Sequence, residues 1–143
     1  MTAPRHTDTQ GRPLLYTSQI QLRWGDVDQL GHINNTVYFR CYEQARVEWI
    51  DLYPQALDGN PAYVVIVHTE CSFLKELKAP GTAEVRIFAG ELGRSSLVQH
   101  YELRRTDDPA TIYATGSAKM VWVSPETGRS TPVPDRFRQI ITT

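Results

Sequence analysis

The chain has 143 residues, 41% of them hydrophobic, and its 15 Lys and Arg residues against 16 Asp and Glu residues give a formal net charge of −1. This length predicts one globular domain with a buried core. The balanced charge excludes a general attraction to nucleic acid or to an anionic membrane, so we expect neither as a partner. No segment approaches the ~20 apolar residues that cross a bilayer, and the N-terminus has no apolar signal-peptide region, so we expect a cytoplasmic protein.

The two cysteines, Cys41 and Cys71, are too few for a disulfide framework. No spacing of Cys and His residues is typical of a zinc site, so we expect no bound metal. Both cysteines are interpreted as small buried hydrophobic side chains.

The N-terminal residues 1–13 are polar and contain proline and glycine, which predicts a flexible arm ahead of a single domain over residues 14–143. Weak alternation then predicts a first strand over Tyr16–Arg23. Residues spaced three and four apart next predict an amphipathic helix over Asn35–Tyr53, ended by Pro54. Its apolar or aromatic face consists of Tyr38, Cys41, Tyr42, Ala45, Trp49, Leu52 and Tyr53.

Beyond the turn at Gly59–Pro61 the hydrophobic period changes from 3.6 to 2, which indicates strands joined by short turns. In the first of these, the odd-numbered residues from Tyr63 to Phe73 are expected to share one face. A short C-terminal helix is predicted over Asp135–Ile141. One helix against a mostly antiparallel sheet is an α+β arrangement. The four predicted strands are Tyr63–Leu74, Thr82–Leu92, Ser96–Arg105 and Thr111–Val123.

The connector Trp24–Tyr38, which enters the long helix, is the segment richest in chemically active side chains. It contains Asp26, Asp28 and His32, together with two glycines and two asparagines. The unpaired amides of a helix N-terminus can stabilise an oxyanion while a nearby carboxylate delivers the attack. The same residue types are also ordinary in turns and N-caps, and Asn34 or Asn35 fits an N-cap in either interpretation.

The connector reads W-G-D-V-D-Q-L-G-H-I-N-N-T-V-Y and is followed by E-Q-A-R in the helix. Later segments read E-C-S-F-L-K-E-L-K-A-P-G-T, L-G-R-S-S and S-P-E-T-G-R-S-T-P-V-P. In this order they resemble the landmarks of hotdog-fold acyl-CoA thioesterases of the 4-hydroxybenzoyl-CoA thioesterase type, over roughly Tyr16–Ile140. The resemblance implies a hotdog fold, in which a curved antiparallel sheet wraps around one long central helix, and an active site at the interface of a homodimer or homotetramer.

The resemblance also implies roles for residues of the connector. The second aspartate of its G-D-x-D pattern is Asp28, which either attacks the thioester carbonyl or activates a water. The first amide of the helix, at or near Asn35, is the expected oxyanion donor. Asp26 is expected to hold the loop by hydrogen bonds, and His32 either orients the loop or touches the thioester. Glu43 is interpreted as a solvated helix charge.

Coenzyme A is expected as part of the substrate, and no separate cofactor is expected. The resemblance places its pantetheine and nucleotide along the turn formed by Arg94, Ser95 and Ser96, where a guanidinium can pair with phosphate. A solvated hairpin turn is the alternative, and Lys75 and Lys78 are further candidates. An acyl pocket or ordinary core packing explains the aromatic residues equally well, namely Trp24, Tyr38, Tyr42 and Trp122.

Two other functions stay open. A non-catalytic acyl-thioester binder is one, although a carboxylate facing a carbonyl helps hydrolysis more than binding. A hotdog dehydratase or hydratase is the other, and it requires a catalytic His. The acyl group does not follow from the sequence.

Overall fold

The computed structural model describes residues 5–53 and 62–143, and its main feature is one antiparallel sheet of five strands in the order β1-β3-β4-β5-β2. The helices are α1 (Asn35–Asp51) and the short C-terminal α2 (Asp135–Thr142). The element order therefore confirms the prediction, while the predicted helix stop at Pro54 and the turn at Gly59–Pro61 lie outside the described residues. The strands are β1 (Leu14–Leu22), β2 (Tyr63–Phe73), β3 (Gly81–Leu92), β4 (Ser96–Arg105) and β5 (Ala114–Val123).

Helix α1 packs its apolar face against the sheet, and it ends at Asp51 rather than at the predicted Tyr53. The Tyr42 ring stacks on Tyr101 of β4, with ring centroids 4.7 Å apart. Gly116 of β5 makes room for this ring, because a Cβ atom at that position would lie 2.6 Å from Tyr42 Cε2. The buried residues of α1 are Val37, Tyr38, Cys41, Tyr42, Ala45 and Trp49.

The prediction that the odd-numbered residues of β2 share one face is wrong. Ile66 pairs with Met120 and His68 with Lys119, so Val67 is an extra residue in β2. A bulge of this kind reverses the alternation of side chains beyond it. Val64 therefore packs against the core before the bulge and Cys71 packs against it afterwards, although one is even-numbered and the other odd.

Residues 5–13 fold into a short hairpin, in which Thr7 pairs with Pro13. The Arg5 guanidinium donates hydrogen bonds to the carbonyls of Ile140 and Ile141, at 2.9 and 3.3 Å, and so joins this hairpin to α2. The predicted flexibility of the whole 1–13 arm stays a prediction, because residues 1–4 lie outside the described part.

Candidate active site

Asp26 holds the connector between β1 and α1 in place through hydrogen bonds and an ion pair. Its carboxylate is buried, accepts a hydrogen bond from Arg23 N at 2.9 Å and forms an ion pair with Arg40 of α1. Its carbonyl accepts from Asn34 N at 2.9 Å. Burial alone would raise the pKa of Asp26, but the hydrogen bond from Arg23 and the charge of Arg40 outweigh it and hold that pKa below its ordinary value. These contacts join both ends of the connector to α1, which is the loop-holding arrangement expected of Asp26.

Asp28 lies exposed in a tight turn of the same connector. Its Oδ1 atom accepts hydrogen bonds from Leu30 N at 2.9 Å and His32 N at 3.3 Å. A backbone bond from Asp28 N to the His32 carbonyl, 2.8 Å long, closes the turn. Oδ2 has no hydrogen bond within the described part of the chain, so one carboxylate oxygen is anchored and the other is available to a substrate or water.

The connector leads directly into the N-terminus of α1. Asn34 is the N-cap, and its Oδ1 atom accepts from Thr36 N at 3.0 Å, so α1 begins at Asn35 as the sequence predicts. The first amides of a helix have no partner inside the helix. Since Asn34 satisfies the Thr36 amide, the Asn35 amide is left at the positive end of the helix dipole. That amide is a donor of the kind that an oxyanion requires.

The His32 ring contacts the loop between β2 and β3. His32 Nε2 lies 3.2 Å from Glu76 Oε2, and Ile33 N donates to the Leu77 carbonyl at 2.8 Å. These contacts join the connector to the β2–β3 loop. They favour an orienting role for His32 over direct contact with a thioester.

A cavity of about 310 Å³ borders Asp28. Two large apolar side chains of the connector are exposed: Trp24 to 87% and Leu30 to 79%. Tyr38 is buried instead and meets Phe73 edge to face, with centroids 4.8 Å apart, and burial raises its pKa to about 12. Other members of the predicted aromatic set, Tyr42 and Trp122, belong to the closed core. The cavity is lined by Trp24, Val27, Asp28, Gln29, Gly31 and Ala79.

The structure does not bring Arg94, Ser95 and Ser96 together with Asp28 within one chain. Leu22 pairs with Gly81 at the Asp28 end of the sheet, whereas the Arg94 turn lies at the other end of β3. Hydrogen bonds from the C-terminal segment reach the Arg94 carbonyl, and α2 packs on Trp49 near the end of α1. Asp28 and Arg94 therefore lie near opposite ends of β3.

Comparison with known proteins identifies the family. The thioesterase-like superfamily matches residues 22–141. The chain belongs to this superfamily. The match covers the connector, α1 and all strands except most of β1.

Three solved structures illustrate what this thioesterase-like chain resembles. The PA2801 protein of Pseudomonas aeruginosa, a candidate thioesterase, is 43% identical over 90% of this chain and 98% of its own, with a TM-score of 0.84. A candidate acyl-CoA thioesterase of Xanthomonas campestris is 28% identical over 82% and 99%, with a TM-score of 0.70. The 1,4-dihydroxy-2-naphthoyl-CoA thioesterase of Synechocystis is 14% identical over 89% and 95%, with a TM-score of 0.77, and shares the fold.

Sequence reasoning missed three contacts that shape the thioesterase-like site: Arg40 with Asp26, Glu76 with His32, and Arg105 with the β2–β3 loop. Each joins residues far apart in the chain, so no local spacing indicates them. Within residues 5–53 and 62–143, no cluster of His, Cys, Asp or Glu is arranged to hold a metal ion. Neither helix in that part of the chain is long and apolar enough to span a membrane.

Proposed function

We propose that the chain hydrolyses an acyl thioester of coenzyme A or of an acyl carrier to a free acid and a thiol. The observation that carries the proposal is the carboxylate of Asp28, which has one oxygen held by hydrogen bonds and lies in the connector that leads into the N-terminus of α1. Membership of the thioesterase-like superfamily supports the same reaction class. Resemblance of the connector to thioesterases of the 4-hydroxybenzoyl-CoA thioesterase type is the finer form of the proposal, and the acyl group itself stays open.

Two chemical routes use the same residues. In one, a carboxylate oxygen of Asp28 attacks the thioester carbonyl carbon, the thiolate leaves, and water hydrolyses the resulting anhydride. In the other, Asp28 takes a proton from a water that attacks the carbonyl. In both, the Asn35 amide and the α1 dipole stabilise the oxyanion, and His32 holds the connector in place.

A hydrolysis assay tests the proposal. A thiol-trapping reagent would report release of free thiol from a panel of aliphatic and aromatic acyl-CoAs. Release from at least one substrate is expected. Binding without thiol release would instead indicate the non-catalytic binder, and a change in the acyl chain without thiol release would indicate a dehydratase or hydratase.

The first expected outcome concerns assembly. We propose a hotdog arrangement in which the sheet wraps around α1 and pairs with a second copy through the edge strand β2. Supporting this, β2 exposes Tyr63, Val67 and Phe73 to between 45 and 58%, at a sheet edge where no described strand pairs with it. Sedimentation is expected to show a dimer or tetramer, with at least ~1,600 Å² buried per pair. A fully active monomer would contradict this model.

The second expected outcome concerns Arg94. If its exposed guanidinium pairs with a coenzyme A phosphate, Arg94→Ala should raise KM for acyl-CoA a few-fold, because an exposed ion pair contributes roughly 0.2–1 kcal/mol. Added salt should narrow the difference in KM between Arg94→Ala and wild type. Since Arg94 lies far from Asp28 in its own chain, this contact requires a partner subunit.

A truncated substrate provides the control for Arg94. An N-acetylcysteamine thioester lacks the phosphates, so Arg94→Ala and wild type should hydrolyse it equally well. An equal loss of activity on acyl-CoA and on the truncated thioester would show that Arg94 has a role other than binding phosphate.

A further inference from the structure

A cavity of about 370 Å³ lies between α1 and the edge strand β2. Its size falls within the range of small-molecule sites. Both charged residues of the E-Q-A-R segment, Glu43 and Arg46, line it, and neither has a part in the proposed chemistry. The complete lining is Phe39, Arg40, Glu43, Arg46, Ile66 and Thr69.

The cavity lies along a groove that leads away from the start of α1. Tyr38 meets Phe73 of β2 near the N-terminus of the helix, and Tyr42 approaches Cys71 one turn later. Arg46 follows after a further turn. An α-helix rises about 1.5 Å per residue, so Arg46 lies roughly 16 Å along the axis from the first amide of α1. An acyl group whose carbonyl is bound at that amide can therefore follow the groove as far as Arg46.

Arg46 has a half-buried positive charge, and it forms no ion pair with a carboxylate within residues 5–53 and 62–143. Its Nη1 atom donates a hydrogen bond to the Tyr101 hydroxyl at 3.1 Å, and most of the guanidinium donors stay available. Glu43, one turn earlier, lines the same cavity and is exposed. The cavity therefore presents guanidinium donors that lack a carboxylate partner.

A buried hydrogen-bond chain holds the Arg46 guanidinium in position. The Tyr101 hydroxyl, which accepts from Arg46, donates in turn to Gln99 Oε1 at 2.7 Å. Gln99 is fully buried, and its Nε2 atom has no partner within the described residues. An apolar side chain at this position would avoid the free energy cost of an unpartnered buried amide, so packing does not explain Gln99. Its carbonyl takes the Tyr101 proton, which leaves the hydroxyl free to accept from the guanidinium.

We propose that Arg46 binds a carboxylate at the far end of the acyl group, so that the preferred substrate is a thioester of a dicarboxylic acid. This inference rests on the proposed function and assigns a substrate class to it. A guanidinium can bind a carboxylate through two parallel hydrogen bonds, and partial burial strengthens the pairing. Phe39 and Ile66 provide apolar contacts for the chain between the thioester and the carboxylate. Gln99 is a positioning residue that acts through Tyr101.

Steady-state kinetics of Arg46→Met test the inference. The two substrates are acyl-CoAs of equal chain length, one ending in a carboxylate and the other in a methyl group. Wild type should prefer the carboxylate, and Arg46→Met should lower kcat/KM for it by about 10–100-fold, because charge-assisted hydrogen bonds are lost. The methyl-terminated substrate should change little. Arg86→Met is the matched control, since Arg86 is paired with Glu84 on β3, and it should affect neither substrate.

Truncated substrates separate the acyl group from coenzyme A. N-acetylcysteamine thioesters of the same two acids lack the phosphates, so the effect of Arg46→Met should persist on them. An effect confined to acyl-CoA would assign Arg46 to coenzyme A and overturn the inference. An equal loss on the carboxylate- and methyl-terminated substrates would also overturn it. If Arg46→Met does not fold, Arg46→Lys replaces it, because a point charge without the planar fork should weaken the preference.

Chain length and assembly provide two further checks. The preference for a carboxylate should appear only with acyl groups long enough to span the roughly 16 Å from the first amide of α1 to Arg46. A preference that is independent of chain length would overturn the placement of the carboxylate at Arg46. Sedimentation of Arg46→Met should match that of wild type, whereas dissociation of the assembly would make Arg46 a contact between subunits instead.

Gln99→Met tests the positioning role with a readout that a purely structural role would not give. The variant should keep or raise Tm, because it removes an unpartnered buried amide. It should nevertheless raise KM for the carboxylate-terminated substrate and leave the methyl-terminated substrate unchanged. An unchanged preference for the carboxylate in Gln99→Met would overturn the positioning role.

Equilibrium binding separates this inference from the proposed function. Calorimetry would compare two thioether analogues of acyl-pantetheine, one ending in a carboxylate and one in a methyl group, on wild type and on Arg46→Met. If no thioester is hydrolysed, the proposed function fails, and weaker binding of the carboxylate analogue to Arg46→Met still supports the carboxylate site. If thioesters are hydrolysed but the two proteins bind the carboxylate analogue equally, the carboxylate site alone fails.

Discussion

Asp28→Asn is expected to abolish most thioester hydrolysis, lowering kcat by about 10²–10⁴-fold or more. The substitution keeps the side-chain shape but removes the basicity and the nucleophilic oxygen, so both chemical routes fail. The fold should be unaffected, because an asparagine oxygen can still accept the hydrogen bonds from Leu30 N and His32 N. Thiol release under saturating substrate measures the effect, and calorimetric binding of a non-hydrolysed coenzyme A analogue checks that binding is retained.

A matched comparison with Asp26→Asn guards against assigning the wrong aspartate. Asp26 is buried and its carboxylate is held by Arg23 N and by the ion pair with Arg40 of α1, whereas Asp28 presents a free oxygen. A normal kcat for Asp28→Asn together with no activity for Asp26→Asn would show that the motif has been placed in the wrong register. Retained activity in both variants would make the connector purely structural.

Asp26→Asn is expected to lower the free energy of unfolding by about 1–3 kcal/mol, because the substitution removes the carboxylate charge that pairs with Arg40 of α1. The effect should depend on pH. The folded-state pKa of Asp26 is held below its ordinary value, so its contribution is fully present above the unfolded pKa of about 3.9 and is lost as pH falls through the folded pKa. Urea unfolding at several pH values measures the difference between wild type and variant.

The difference in unfolding free energy between wild type and Asp26→Asn should be constant near neutral pH and should narrow below about pH 4. Arg40→Met offers a second variant, since it removes the partner charge and keeps the carboxylate. Arg40→Met should also destabilise the protein. Asp8→Asn serves as the control, because Asp8 is another carboxylate with a lowered pKa and lies on the N-terminal hairpin. A difference that stays the same at all pH values would show that the charge of Asp26 does not stabilise the connector.

Hydrophobic periodicity predicted the helix and strands because burial on one face dictates which residues are apolar. It failed in β2, where the extra residue Val67 shifts the register. Apolar residues occur on both faces there, so the alternation contains no signal that marks the bulge. Periodicity also gives no sign that Glu48 of α1 accepts hydrogen bonds from Tyr16 and Ser18 of β1.

The local part of the site followed from the sequence, and the long-range part did not. Asn34 and Asn35 could be placed at the start of α1 because capping depends on neighbouring residues. The distance between Asp28 and Arg94 depends on how β3 crosses the sheet, which no spacing within a motif encodes. The contact of His32 with Glu76 likewise joins two loops that meet only after folding.

The bulge at Val67 also affects how the protein resists aggregation. A long apolar strand at a sheet edge offers unpaired backbone groups to any extended peptide. The extra residue divides β2 into two shorter stretches and increases the local twist, and the polar side chains of His68 and Glu70 follow it in the strand. A flat foreign strand therefore cannot pair along the whole length of β2.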